Sequence, residues 1–215
     1  ALSAAQISSS LAQGTTFNFT STGGLSFVDV QSVGTYAPTS MTFTIVSLGV
    51  NMNPDKQCNF DCSYCEVDRR VPARVTRLDV DVMAAELRKS IAYIQSGKLA
   101  ERPTYHSLPA ELLKLRQVAL SGDGEPTLAE NFVEAVQAVV RVRALGGFFR
   151  IVLITNGTGL DRPQIQRGLE LLTKSDEIWI KLDGGTQSFI DKVNRPDVPL
   201  EVPLGPGTLH EVPPL

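Results

Sequence analysis

Residues 43–65 read "FTIVSLGVNMNPDKQCNFDCSYC". An apolar run long enough for one strand, Phe43–Leu48, leads into a loop that holds Cys58, Cys62 and Cys65, all three cysteines of the chain. Successive apolar positions, without polar alternation, are what a parallel strand covered on both faces requires. Three more runs of this type follow, at Val118–Leu120, Ile151–Ile154 and Ile178–Leu182.

Helical periods separate the runs. Met83, Leu87, Ile91 and Ile94 recur on one face, with Asp79 or Asp81 as cap and Gly97 as stop. Phe132, Val136, Val139 and Val140 form a second stripe that ends at Gly146-Gly147. Ile165, Leu169 and Leu172 form a third, entered through Asp161 and Pro163. A fourth begins near Thr186, with Phe189 and Val193 turned inward. Apolar spacing, acidic caps and terminal glycines together define these helices. Strand–helix alternation of this kind predicts an α/β fold built from βαβ units around a parallel sheet.

Reactive loops in such sheets follow the carboxyl ends of the strands. The unusual residues all fall there: the cysteines after the first strand, "SGDGEP" after the second, "TNGTG" after the third and "KLDGG" after the fourth. Four loops are therefore expected on one rim.

The flanks differ in composition. Residues 1–50 carry one charged side chain, Asp29, and are rich in Ser, Thr and Gly; "TTFNF" and "LSFVDV" fit either a small β element or a poorly ordered extension. Residues 198–215 hold five of the thirteen prolines and fit neither helix nor central strand. The expected division is an extension at 1–40, a core at 41–197 and a tail at 198–215. In the whole chain of 215 residues, 42% hydrophobic and 20% charged residues are ordinary for a globular protein. A net charge of -3 argues neither for a nucleic-acid field nor for an acidic tail, and it leaves room for a local basic patch. No apolar run approaches the roughly 20 residues of a bilayer span. The first residues lack a cationic region and an apolar one, so no secretory signal is read. With clustered, odd-numbered thiols, this places the chain in the cytoplasm and favours a metal site over a disulfide framework.

Thiolates suit zinc or an iron–sulfur cluster. Three thiols on a four-iron cubane leave one iron without a protein ligand, an open position for a reactant. Structural zinc would need a fourth ligand from elsewhere; His106 and His210 are the imidazoles available, and paired C-x2-C knuckles are absent. Arg69, Arg70, Arg74 and Arg77 beyond the loop read as a solvated charged segment, with an anion site as the sharper alternative.

"CNFDCSYC" resembles the cluster loop of the radical S-adenosylmethionine superfamily, C-x3-C-x-aromatic-C, with Tyr64 in the aromatic place. "GDGEP" is similar to that superfamily's Gly-Gly-Glu-Pro segment; Gly124, Glu125 and Pro126 match, and Asp123 interrupts the glycine pair. "SLGVNMNP" and "SGDGEPTL" look most like a poorly characterised group within it, and the resemblance runs from about Val46 to Pro196. It implies a 4Fe–4S cluster held by Cys58, Cys62 and Cys65, with S-adenosylmethionine chelating the fourth iron. One electron then cleaves the sulfonium bond, and a 5′-deoxyadenosyl radical abstracts hydrogen from a substrate. The cosubstrate is assigned to Tyr64, Gly122, Asp123, Gly124, Glu125, Pro126, Asn156, Lys181 and Asp183. A flavodoxin- or ferredoxin-type electron donor is implied, and RNA, peptide and small metabolite remain open as substrates.

The superfamily's usual core is a partial (β/α) barrel of six units. About four are found here, so the expectation is either a truncated chain or a second chain that completes the barrel. The competing functions are an iron–sulfur binding or electron-carrying protein without radical catalysis, and a decayed half-barrel that binds nothing tightly.

Overall fold

The computed structural model describes residues 46–197, together with the strands β1 (Thr16–Asn18) and β2 (Phe27–Asp29). Four parallel strands carry the fold: β3 (Val46–Asn51), β4 (Leu115–Ser121), β5 (Arg150–Thr155) and β6 (Glu177–Ile180). Each is followed by a helix: α1 (Val80–Gln95), α2 (Phe132–Ala144), α3 (Pro163–Leu169) and α4 (Gln187–Val193). These are the four βα units of an α/β partial barrel, in the sheet order β1-β2-β3-β4-β5-β6. β1 and β2 pair antiparallel with each other, and β2 pairs antiparallel with β3. Residues 43–45 of the expected first strand lie outside the described residues, as does the Pro-rich tail.

Register sorts the side chains. Leu48 is level with Val118, Val118 with Ile151, and Leu153 with Ile178. Side chains alternate across a strand, so these residues share the helix-facing side. There Val50, Val118, Leu120, Ile151 and Leu153 are fully buried against Leu87, Phe132, Val136, Val139 and Ile165. Burying each of these large side chains contributes about 1.5–3 kcal/mol.

The helices end where their chemistry says. Asp79 caps α1, accepting from the amides of Asp81 and Val82 at 3.1 and 3.0 Å. Gly97, at φ +76°, stops it. Pro163 opens α3, while Leu172 lies beyond that helix and packs half-buried on the core. α4 corrects one expectation. Thr186 caps it as read, but Phe189 is 48% exposed over Gly184, and Ile190, at 2%, faces the core. From that cap, about 100° per residue turns Ile190, Val193 and Asn194 inward. β6 departs too: Ile178 and Ile180 are 42% and 45% exposed on the helix side of this edge strand, so it is not covered on both faces.

Asp176, just before β6, joins three elements. Its carboxylate accepts from Arg143 at the end of α2, from the Ile151 amide of β5 and from the amide and hydroxyl of Thr173. Burial opposes its charge, but Arg143 and the two amides prevail and hold its pKa below the ordinary carboxylate value. A depressed folded-state pKa contributes stability that is complete above the unfolded value of about 3.9 and is lost as pH falls through the folded one. Asp176→Asn should therefore destabilise the fold by about 1–3 kcal/mol at pH 7. In urea titrations that deficit should shrink at pH 3; equal deficits at the two pH values would refute the ion-pair account.

Candidate metal and cofactor site

The rim begins with a junction between the ends of β3 and β4. The Met52 amide donates to the Ser121 carbonyl at 2.7 Å, extending the ladder by one step. Asn51 then grips Asp123 twice: its Nδ2 donates to Oδ2 at 3.0 Å, and its Oδ1 accepts the Asp123 amide at 3.1 Å. Two residues on, the Glu125 amide donates to the Gln57 carbonyl at 2.9 Å. This approach explains the glycines of "GDGEP". A Cβ at Gly124 would stand 1.8 Å from the Gln57 oxygen, and one at Gly122 would stand 2.9 Å from Asn53 Oδ1. Both positions exclude side chains because two loops press together there.

Glu125 secures the junction to β5. Its carboxyl group, in a residue only 3% exposed, accepts from the Thr127 amide and hydroxyl, the Thr155 hydroxyl and the Asn156 amide. Four donors satisfy a group whose burial would otherwise be costly. The Asn156 side chain is similarly committed: Nδ2 donates to Asn59 Oδ1 at 2.9 Å, and Oδ1 accepts from the amide and hydroxyl of Thr158. Asn59 completes the link by donating to the Thr158 hydroxyl at 2.8 Å.

The cysteine loop has little regular structure and is held instead by residues 193–197. The Asp61 amide donates to the Asn194 carbonyl at 2.9 Å, the Ser63 amide to Val193 at 2.8 Å and the Asp197 amide to Asn59 at 2.9 Å. Phe60 and Pro196 form an antiparallel bridge, and Arg195 reaches Asp61 at 3.2 Å. Asn59, Asp61 and Ser63 are therefore anchors, not free spacers. Cys58 and Cys62 are half-buried and Cys65 is exposed, all three as free thiols. Burial pushes the Cys58 thiol up, against the pull of the Phe60 amide and of Arg69.

Tyr64 forms one wall. Its hydroxyl donates to Asp183, and Lys181 Nζ lies 4.3 Å from the centre of its ring, a cation–π distance. Loss of solvent at the hydroxyl, then the Asp183 bond, hold the phenol well above its ordinary pKa. Buried Asn194 donates to Asp183, to Tyr64 Oη and to Cys62 Sγ.

Cys58, Cys62, Cys65, Tyr64, Gly122, Asp123, Gly124, Glu125, Asn156 and Lys181 line one cavity of about 190 Å³. Pro126 is buried beside it, and Asp183 is reached through Tyr64. Of the four arginines, Arg69 lines the cavity; Arg70 pairs with Asp68, and Arg77 lies in a groove between α1 and α2. His106 sits away from the rim, its Nδ1 2.6 Å from the Pro103 carbonyl, and His210 is outside the described residues. Among the described residues no three Cys, His, Asp or Glu side chains converge on one point as a single ion requires. A cluster asks instead for thiolates spread around a larger body, each on its own iron, and three thiols that line one cavity without converging on a point fit that demand. Asn51, Thr127, Thr155 and Asn194 were not expected from the sequence. The signal for the first and last was present in "SLGVNMNP" and "DKVNRP", as amides beside recognised segments.

The model of the radical SAM superfamily matches residues 52–202. A UPF0026 protein of Synechocystis sp. is 27% identical over 157 residues, 73% of this chain and 50% of that protein. One from Methanocaldococcus jannaschii is 27% identical over 151 residues, 70% of this chain and 40% of that protein. The chain thus spans about half the length, or less, of these curated relatives. A solved structure of TYW1 with a lysine–pyruvate adduct bound aligns at TM-score 0.45 and 17% identity, over 70% of this chain and 46% of that one. No helix among the described residues is long and apolar enough to cross a membrane.

The junction can be tested by size alone. Gly124→Ala should cost about 1–3 kcal/mol, because the obstructing atom is backbone. Gly185→Ala, with open space around the new methyl, should stay within about 0.5 kcal/mol of wild type. Equal chemical-denaturation midpoints for the two variants would show that the loops do not press together there.

Proposed function

The chain belongs to the radical SAM superfamily, and from that premise we propose that it binds a 4Fe–4S cluster through Cys58, Cys62 and Cys65 and holds S-adenosylmethionine beside it for reductive cleavage. The observation that carries this reading is one cavity lined by every thiol of the chain and by the turns after three further strands. The chemistry supplied by the bound pair is one-electron cleavage of the sulfonium carbon–sulfur bond, which yields methionine and a 5′-deoxyadenosyl radical for hydrogen abstraction.

The protein's own residues do the positioning. The lining offers no fourth thiol or imidazole, and both of its carboxyl side chains are engaged, Asp123 by Asn51 and Glu125 by Thr127, Thr155 and Asn156. That lining fits the superfamily's arrangement, in which the amino and carboxylate groups of the cosubstrate would take the fourth iron. Lys181 provides the cation for that carboxylate, and the backbone at Tyr64 lies beside the adenosyl part. Backbone of the Gly122–Gly124 turn would receive the ammonium group; the glycines themselves are required by the packing on Gln57 and Asn53. Glu125 and Asn156 act from behind, fixing the turns that make these contacts.

The reductant is expected to be a small one-electron carrier of the flavodoxin or ferredoxin kind. The outer edge of β6, without a partner among the described residues, favours completion of the catalytic unit by further strands, whether from more of this polypeptide or from a second chain.

Anaerobic reconstitution followed by electron paramagnetic resonance tests the proposal. A reduced 4Fe–4S signal that changes on addition of S-adenosylmethionine is expected, together with loss of nearly all iron in the Cys58→Ala/Cys62→Ala/Cys65→Ala variant. A cluster signal indifferent to the cosubstrate would favour an electron-carrying protein. Unchanged iron in the triple variant would remove the ligand assignment.

A further inference from the structure

Asn194 has a side chain more constrained than a helix cap needs. The residue is 1% exposed, at the end of α4, and its own carbonyl accepts the Asp61 amide of the cysteine loop. Its Nδ2 has three acceptors in reach: Asp183 Oδ2, Tyr64 Oη at 3.2 Å and Cys62 Sγ at 3.3 Å. Its Oδ1 is buried and has no hydrogen-bond partner among the described residues.

An orphaned carbonyl oxygen is unfavourable, and turning the amide over is the usual remedy. Here the turned amide would set oxygen against the Asp183 carboxylate and the Cys62 sulfur, and the one hydroxyl in reach, Tyr64, already gives its proton to Asp183. Nitrogen therefore faces the acceptors, and the unmet oxygen is the consequence. A primary amide has two N–H groups. One serves the carboxylate. Tyr64 gives its own proton to Asp183, so its oxygen competes only as a neutral acceptor for the second. A sulfur carrying thiolate charge is the stronger claimant for that proton.

We propose that Asn194 is a positioning residue that donates a hydrogen bond to the Cys62 sulfur and thereby raises the reduction potential of a cluster bound at these cysteines. The inference rests on the cluster reading above. Reduction adds negative charge to the cluster and its sulfurs, and a fixed N–H donor stabilises the reduced form more than the oxidised one. The carrier of this effect comes from α4, 132 residues along the chain from the sulfur it serves.

The experiment uses the full chain, reconstituted anaerobically, with iron per chain measured and the potential read by dithionite titration with paramagnetic resonance detection. Asn194→Leu keeps similar bulk without a donor; Asn194→Asp keeps the shape and puts a carboxyl group in place of the amide. With iron content preserved, the leucine variant should show about a tenfold lower reduction equilibrium constant, about 59 mV for one electron. The aspartate variant should fall further. If the leucine variant fails to fold, the near-isosteric aspartate carries the measurement. Wild-type potentials in both variants at full iron content would overturn the proposal, as would loss of iron in both with circular dichroism unchanged, which would make the role purely structural. Absence of iron from the wild-type protein would instead sink the cluster reading and this inference with it.

Discussion

A carboxyl group sealed inside a protein must have its donors in place, and Glu125 makes that constraint the hinge of the rim. Its four donors come from the turn after β4 and from the end of β5. Taking away the separation between those strand ends would strand the carboxyl group, so the gap between the two loops is set by its span. The Glu125 amide meanwhile holds Gln57, the residue before the first cysteine. One residue thus fixes the start of the cysteine loop and the floor of the cavity at once. Neighbouring glycines are consequences: a loop that must lie flat on a carbonyl has no room for a Cβ.

Beyond Gln57 the cysteine loop cannot rely on a strand or helix of its own. A segment with few internal hydrogen bonds is ordered only by what it docks against. Residues 193–197 provide that partner, and the geometry needs a sharp turn out of α4, seen in Arg195 at φ +46°. A non-glycine residue in the left-handed region is uncommon and carries some strain. Here the Asp61 contact and the Phe60–Pro196 bridge hold it. The arrangement is economical in secondary structure: the last helix of the described chain closes the first loop of the barrel.

The periodic part of this fold was readable in the sequence because it depends on local repetition. Met83, Leu87, Ile91 and Ile94 repeat at helical spacing, and all four are buried where that spacing puts them. The strand-end loops were readable for the same reason, since βα alternation assigns them to one rim. The contacts that turn this rim into a site were not. Asn51 meets Asp123 across 72 residues, and no local rule distinguishes it from any asparagine after a strand. Asn194 meets Cys62 across 132 residues, which no local rule announces. Phe189 was misplaced because it was paired with Val193 at i, i+4 spacing, while the cap at Thr186 set a phase that favoured Ile190. In the N-terminal 40 residues low charge left strand and coil balanced; the backbone of Thr16–Asn18 and Phe27–Asp29 joins the sheet by antiparallel pairing.

The phase of α4 also explains why one face of β6 is left exposed among the described residues. A helix following an edge strand would ordinarily cover that strand's outer face. α4 has only seven residues, and its inward positions are spent on Ile190 in the core and on Val193 and Asn194 at the cysteine loop. Ile178, Ile180 and Leu182 consequently stay 42–52% exposed, along a strand whose far edge has no partner among the described residues. An apolar face beside an unpaired edge is a surface on which another strand and helix gain both hydrogen bonds and burial. The same residues cannot shield β6 and secure the cysteines. In this chain the helix phase resolves that competition in favour of the cysteines, and the exposed face of β6 is its structural cost.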